Sequence, residues 1–182
     1  VAAALAAAAL VASGGCASTV QYVNASADLS TIKAVAVLPF ENVSGDKLGA
    51  ERSQRIFLTE LLSLGVFDPV EPGQVARALR SERVDPAAMA SDEIKKLGKA
   101  LGVQGIFLGT LVEYEEGRGG GVGAQITIQL RLLDVESGKT VWSTSRTANG
   151  TTVSGRLFGM GAKTATEVVQ ALIREELGKL VR

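Results

Sequence analysis

The 182-residue chain contains no histidine and a single cysteine. Without an imidazole, Ser-His-Asp and Cys-His catalysis are excluded. One cysteine cannot close an internal disulfide, and with no histidine beside it a standard zinc site cannot be assembled. Aromatic residues make up only 4% and are not interleaved with basic ones, so there is no platform for stacking nucleic-acid bases. Nor is there an excess of either charge. The 19 Lys and Arg balance 19 Asp and Glu, which removes any general attraction to nucleic acid or anionic lipid. The longest apolar run, residues 1–12, falls short of the ~20 residues a helix needs to cross a bilayer.

What is present is globular in character: 46% apolar and 21% charged residues, at a length that favours one domain. The run VAAALAAAALVA is followed by Ser13-Gly14-Gly15-Cys16. An apolar stretch of this length before small residues fits the core of a secretory signal. No Met and no basic segment precede Val1, so the sequence is expected to begin inside that signal. Residues 1–15 are thus expected to be signal peptide, 16–31 a short tether and 32–182 a single domain. Residues 17–31 are small and polar without sustained periodicity. They read as a linker, or as a linker that lends one edge strand around residues 20–23.

Ser13-Gly14-Gly15-Cys16 resembles a bacterial lipobox, with Ser13 where Leu is usual. The resemblance implies that Cys16 becomes the lipidated N-terminus. Each buried CH₂ contributes about 0.8 kcal/mol, so two or three acyl chains suffice for stable anchoring. Ala17, rather than Asp, after the cysteine resembles the enterobacterial signal for the outer membrane, on its periplasmic face.

Within the domain, Lys33 to Phe40 reads KAVAVLPF, an apolar run without alternation that predicts a strand covered on both faces. Asp46 is placed to cap a helix over residues 47–64, with Phe57, Leu61 and Leu64 on its buried stripe and Ile56, Leu58 and Leu62 widening it. A short strand over 66–70, interrupted by Pro69, belongs at an edge. Helices follow over 73–81 and from Ser91 to Leu101, the latter burying Ile94, Leu97 and Leu101. Residues 103–114 form the next strand. Residues 124–135 alternate strictly, with Ala124, Ile126, Ile128, Leu130 and Leu132 on one face and Gln125, Thr127, Gln129 and Arg131 on the other. A turn at 136–139 leads to a strand over 140–145, and a helix over 163–181 turns Val169, Leu172, Ile173, Leu177 and Leu180 inward. The order is β-α-β-α-α-β-β-β-α. This predicts an α/β (α+β) fold, a single mixed sheet of about five strands with about four helices packed on it.

Chemical motifs are sparse. Gly119-Gly120-Gly121-Val122-Gly123-Ala124 matches the spacing of a dinucleotide fingerprint, but a strand follows it where a helix is required. Gly159-Met160-Gly161-Ala162-Lys163-Thr164 lacks the glycine a phosphate loop needs before its lysine. No cofactor or metal is therefore expected. Glu41, Asp46, Glu113, Glu115, Glu116, Asp134 and Glu136 are the acids on which a hydrolase would have to draw, and the sequence brings no pair of them together.

Three stretches carry a further resemblance. They are Ala34-Val35-Ala36-Val37-Leu38-Pro39-Phe40-Glu41-Asn42, the helix-to-strand step from Leu97 to Gly109, and the hairpin from Leu133 to Ser143. In this order they resemble envelope proteins of the CsgG curli-export lipoproteins, the Lpo-type activators of penicillin-binding proteins, and the N-terminal domain of TolB. The resemblance implies a non-enzymatic, lipid-anchored periplasmic domain that binds other proteins, with homo-oligomerisation open. Two alternatives stay open, a CsgG-like oligomeric channel and an enzyme acting on the cell wall with an acid pair. The glycine-rich loop at 117–123 is expected at the rim of the partner-binding face. Glu113, Glu115, Arg118 and Gln125 are its candidate contact residues.

Overall fold

Why these segments become strands and helices is visible in how they share two apolar layers. The computed structural model describes residues 19–25, 27–117, 122–152 and 161–181. Among them a seven-stranded sheet forms from β1 (Thr19–Val23), β2 (Ala34–Val37), β3 (Glu41–Asn42), β4 (Asp68–Pro69), β5 (Gly105–Glu115), β6 (Gln125–Asp134) and β7 (Lys139–Asn149). The helices are α1 (Gly49–Leu64), α2 (Pro72–Glu82), α3 (Ser91–Leu101) and α4 (Ala165–Leu180). Strand order is β1-β7-β6-β5-β2-β4, with β3 beside β5. Strands β5, β6, β7 and β1 are antiparallel neighbours, whereas β2 lies parallel to both β5 and β4.

The sheet is therefore mixed, as expected, and larger than the expected five strands. β3 and β4 span two residues each. β1 comes from the stretch that read either as linker or as edge strand. The strand is what forms: Thr19 to Val23 pair with Arg146 to Trp142. Of the expected tether, Thr19–Val23 thus belongs to the sheet. β7 also outruns its expected end at residue 145, because β6 and β1 satisfy its backbone from both sides up to Asn149 and Arg146 respectively.

One face of the sheet carries α1 and α4. Val35, Val37, Phe107 and Leu111 meet Phe57 and Leu61 of α1, and Ile126, Ile128, Leu130 and Leu132 share this core with Val169, Leu172, Ile173 and Leu177 of α4. Phe57 makes edge-to-face contacts with Phe40 and Phe107 at 5.5 and 5.1 Å, and Phe67 adds another on Phe107 at 5.6 Å. Each such pair contributes roughly 0.5–1.5 kcal/mol beyond area burial. Leu62, expected to widen the α1 stripe, instead turns outward and is 60% exposed. The opposite face carries α2 and α3, where Ala36, Leu38, Ile106, Leu108 and Leu133 pack with Val75, Ala78, Ile94 and Leu97. The doubly apolar character of β2 and of the first half of β5 follows from lying between these two layers.

Helix ends carry their own signals. Asp46 Oδ1 accepts from the Leu48 amide at 2.9 Å, just ahead of α1. Gly65 and Gly102 stop α1 and α3 in the left-handed conformation, at φ 64° and 68°. Thr164 and Glu167 form a reciprocal capping box at the start of α4.

Candidate protein-binding face

Among the described residues, the second helical layer covers only part of its face of the sheet. The apolar residues of α2 and α3 cluster with β2, with the first half of β5, and with Leu133 and Val135 near the end of β6. Beyond them the sheet presents the polar side of its alternating strands. Gln129 and Arg131 of β6 are exposed, with Ser143, Ser145 and Thr147 of β7 half-buried beside them. Val20 and Tyr22 of β1 continue the surface at 72% and 51% exposure. Among the described residues this open face mixes hydroxyl and amide side chains with Arg131, Val20 and Tyr22.

Its polar groups are tied together. A β-bulge between Leu111 and Glu113 leaves Val112 as the extra residue and aims Glu113 onto this face. There the Glu113 carboxylate accepts from Gln125 Nε2 and Thr127 Oγ1, both at 2.9 Å, and Thr127 Oγ1 lies 3.0 Å from Thr147 Oγ1. The ladder runs across three strands. Farther along, Thr110 Oγ1 donates to Glu41 at 3.1 Å. Glu115 stands opposite Gln125 in the strand register. Three of the residues expected at the binding rim, Glu113, Glu115 and Gln125, are thereby brought together at one end of the sheet. Arg118 lies outside the described residues, as does Cys16.

At the other end of the face, the 85–90 loop overhangs the sheet. Asp85 Oδ1 accepts from the Ala87 amide at 3.0 Å, Glu93 accepts from the Ala90 amide at 2.8 Å, and Ser91 Oγ donates to the Gly138 carbonyl at 3.1 Å. Two adjoining hollows of about 260 and 220 Å³ open beneath this loop, and both are lined by Pro86, Ala87, Leu108 and Arg131. Sequence reasoning did not single out Arg131 or this loop. The signal was a lone charge on a face otherwise made of Gln125, Thr127 and Gln129.

The strong electrostatics lie on the helix-covered side. Glu60 of α1, buried, is held below the ordinary glutamate range by hydrogen bonds from Arg174. Lys179 hydrogen bonds hold Glu175 down likewise, and Glu176 raises Lys179 in turn. Glu60 and Arg174 fasten α1 to α4, and Arg146 of β7 meets Glu175 of α4 at 3.0 Å. Among the described residues no group of three or more His, Cys, Asp or Glu stands where it could hold a metal ion. No helix among them is long and apolar enough to cross a membrane.

Solved structures share this fold at low identity. PelC of Paraburkholderia phytofirmans, solved as a dodecamer, is 18% identical, with a TM-score of 0.61 over 90% of this chain and 96% of its own. The lipoprotein GNA1162 of Neisseria meningitidis is 17% identical, with a TM-score of 0.54 over 82% of this chain and 98% of its own. The LpoB C-terminal domain of Salmonella enterica is 16% identical, with a TM-score of 0.50 over 64% of this chain and 82% of its own. No curated protein sequence matches the chain significantly. The profile described as peptidoglycan-synthase activator LpoB does match, over residues 4–147. That stretch takes in every strand of the open face except the last two residues of β7. The chain is accordingly a member of the LpoB family of peptidoglycan-synthase activators.

Proposed function

We propose that the chain is a non-enzymatic envelope protein, lipid-anchored at Cys16 on the periplasmic side of the outer membrane, that binds and activates a peptidoglycan synthase. The family match over residues 4–147 carries this reading. The open face supports it, because side chains presented on a paired sheet are already positioned, which limits the ordering cost of meeting a partner. The rim at Glu113, Glu115 and Gln125, with Arg118 in the adjoining loop, is the assigned contact region. The test is glycan-strand polymerisation by a purified synthase of the same organism, with and without the full chain. A rise in rate that saturates with added chain is expected. No change in rate and no co-purification would overturn the reading. For the anchor, Cys16→Ser in a chain with a complete signal should abolish acyl labelling and release the protein from membranes.

A second reading, assembly with copies of itself, is favoured by β1. This uncharged strand ends the sheet with its outer edge unpaired among the described residues, and with Val20 and Tyr22 exposed. Light scattering of the purified chain at increasing concentration tests it.

A further inference from the structure

We infer that β1 lies along the phospholipid surface that holds Cys16, with Val20, Tyr22 and Val23 in the headgroup layer. The inference rests on the reading of Cys16 as the anchor and adds the surface by which the domain meets the bilayer.

Covalent geometry brings the strand to the membrane. Cys16 precedes Thr19, the first residue of β1, by three positions. Three fully extended residues span at most about 11 Å. An anchor at Cys16 therefore keeps the start of β1 within that distance of its point of attachment. Thr19 is paired in turn with Arg146 of β7, so the sheet follows the strand down.

The composition of β1 suits that place. It reads TVQYV and carries no charge. Val20, Tyr22 and Val23 are 72%, 51% and 49% exposed, and among the described residues no other strand exposes more than one large apolar side chain. Sheet edges open to water are ordinarily blunted by charge, proline or shortness, as β4 is at the opposite edge with Asp68 and Pro69. A contiguous apolar patch beside an acyl anchor gives the anchor a second point of attachment, and tyrosine concentrates at the interface between lipid and water.

The backbone fixes the depth. The Asn24 amide donates to the Val141 carbonyl at 2.9 Å. Antiparallel alternation then turns the amides of Tyr22 and Val20 toward β7 and those of Gln21 and Val23 outward. Unpaired amides do not enter hydrocarbon, whereas headgroup phosphates and water satisfy them. An upright sheet, standing on the end that holds Thr19, would instead press the exposed Glu115, Glu116 and Asn149 against the lipid. Desolvating those carboxylates is costly. On the helix side of the β1 edge, Arg146, Glu175 and Lys179 are joined at 3.0 Å, so no such cost opposes contact there.

The test uses tryptophan as a reporter in the chain secreted with a complete signal, purified from membranes and placed in phosphatidylcholine vesicles. Half of the vesicles carry bromine near the headgroup end of the acyl chains, which quenches nearby indole. Emission from Trp142 is common to all variants and is subtracted using the parent chain. The added emission of Tyr22→Trp, and of Val20→Trp as a second reporter, should fall about twofold in brominated vesicles. That of Arg80→Trp, exposed on α2 over β2, should not change. Equal quenching at all three positions, or none on β1, would overturn the inference. Pairing between copies would occupy the same edge: β1 reporters shielded from bromine in chains that crosslink to one another would overturn it as well. Mass spectrometry separates the two proposals. If Cys16 is acylated and β1 is not quenched, the anchor stands and the placement fails. If Cys16 carries no acyl chain, the anchored reading fails, and coupling the same variants through Cys16 to a maleimide-bearing phospholipid still decides where β1 lies.

Discussion

Glu60 on α1 accepts hydrogen bonds from both Nε and Nη2 of Arg174 on α4, at 2.9 and 3.0 Å, and a third from Gln170 at 2.8 Å. The carboxylate is buried and the guanidinium largely exposed. The pair clamps together the two helices that cover one face of the sheet. Arg174 keeps the Glu60 carboxyl below its ordinary value of 4.5. Its contribution to stability is therefore complete above that value and is lost as pH falls through the lowered one.

Glu60→Ala should lower stability at pH 7 by about 2 kcal/mol, the scale of hydrogen bonds to a buried charge. The gap between variant and parent should narrow as pH is taken well below 4.5, where the parent loses the same interaction. Chemical denaturation at neutral and acid pH measures both. A gap that stays constant with pH would show that Glu60 acts through packing alone.

Glu176 is buried on α4 and accepts from Thr144 Oγ1 of β7 and from Lys179 Nζ, each at 2.8 Å. Thr144→Val leaves this carboxylate one donor short and should cost about 1–3 kcal/mol. Thr147→Val, three residues along the same strand but on the open face, should cost roughly 0.5 kcal/mol or less. Similar losses at the two positions would contradict the assignment of one side as core and the other as free surface.

Gly150 lies where three chain segments converge: its amide donates to the Ala124 carbonyl, and its carbonyl accepts from the Lys163 amide at 2.8 Å. A methyl group there would stand 2.6 Å from the Lys163 carbonyl oxygen and 2.9 Å from Val168 Cγ2. Gly150→Ala should destabilise by about 1–3 kcal/mol through overpacking, read as a fall in the thermal midpoint. An unchanged midpoint would mean that Lys163 and Val168 give way without cost.

Removing residues 1–23 takes away β1 and bares the edge of β7 over Trp142 to Arg146. An uncovered edge of this length is a template for pairing between molecules. The shortened chain should elute as concentration-dependent oligomers, with emission from Trp142, its single tryptophan, moved to longer wavelength. A monomer with unchanged emission would make β1 dispensable to the fold.

Much of the architecture was legible in the chain because burial imposes a period. The alternation from Ala124 to Leu132 places all of its apolar members in the core. The unbroken run of β2 correctly announced cover on both faces, and every inward residue expected on α4 is buried. Leu62 departs from expectation because an isolated helix does not reveal how wide a stripe its neighbours will cover. β1 and the far half of β7 were ambiguous for a related reason. Their residues are held by backbone pairing to adjacent strands, and Thr, Ser, Gln and Asn report little of that.

The site divides along the same line. Glu113, Glu115 and Gln125 could be placed together from sequence, because a hairpin makes neighbours of residues on either side of its loop. Arg131 and the 85–90 loop are more than 40 positions apart and meet only because β5 and β6 pair while α2 and α3 fold back over them. The sequence by itself determined what the chain lacks for catalysis, the location of its one cysteine, and which residues must turn inward. Tertiary structure decided which polar side is uncovered among the described residues and which cations meet the buried carboxylates of Glu60 and Glu176. Periodicity records the local choice between core and surface. Helical cover and charge pairing depend on contacts between segments far apart in the chain, which no local pattern encodes.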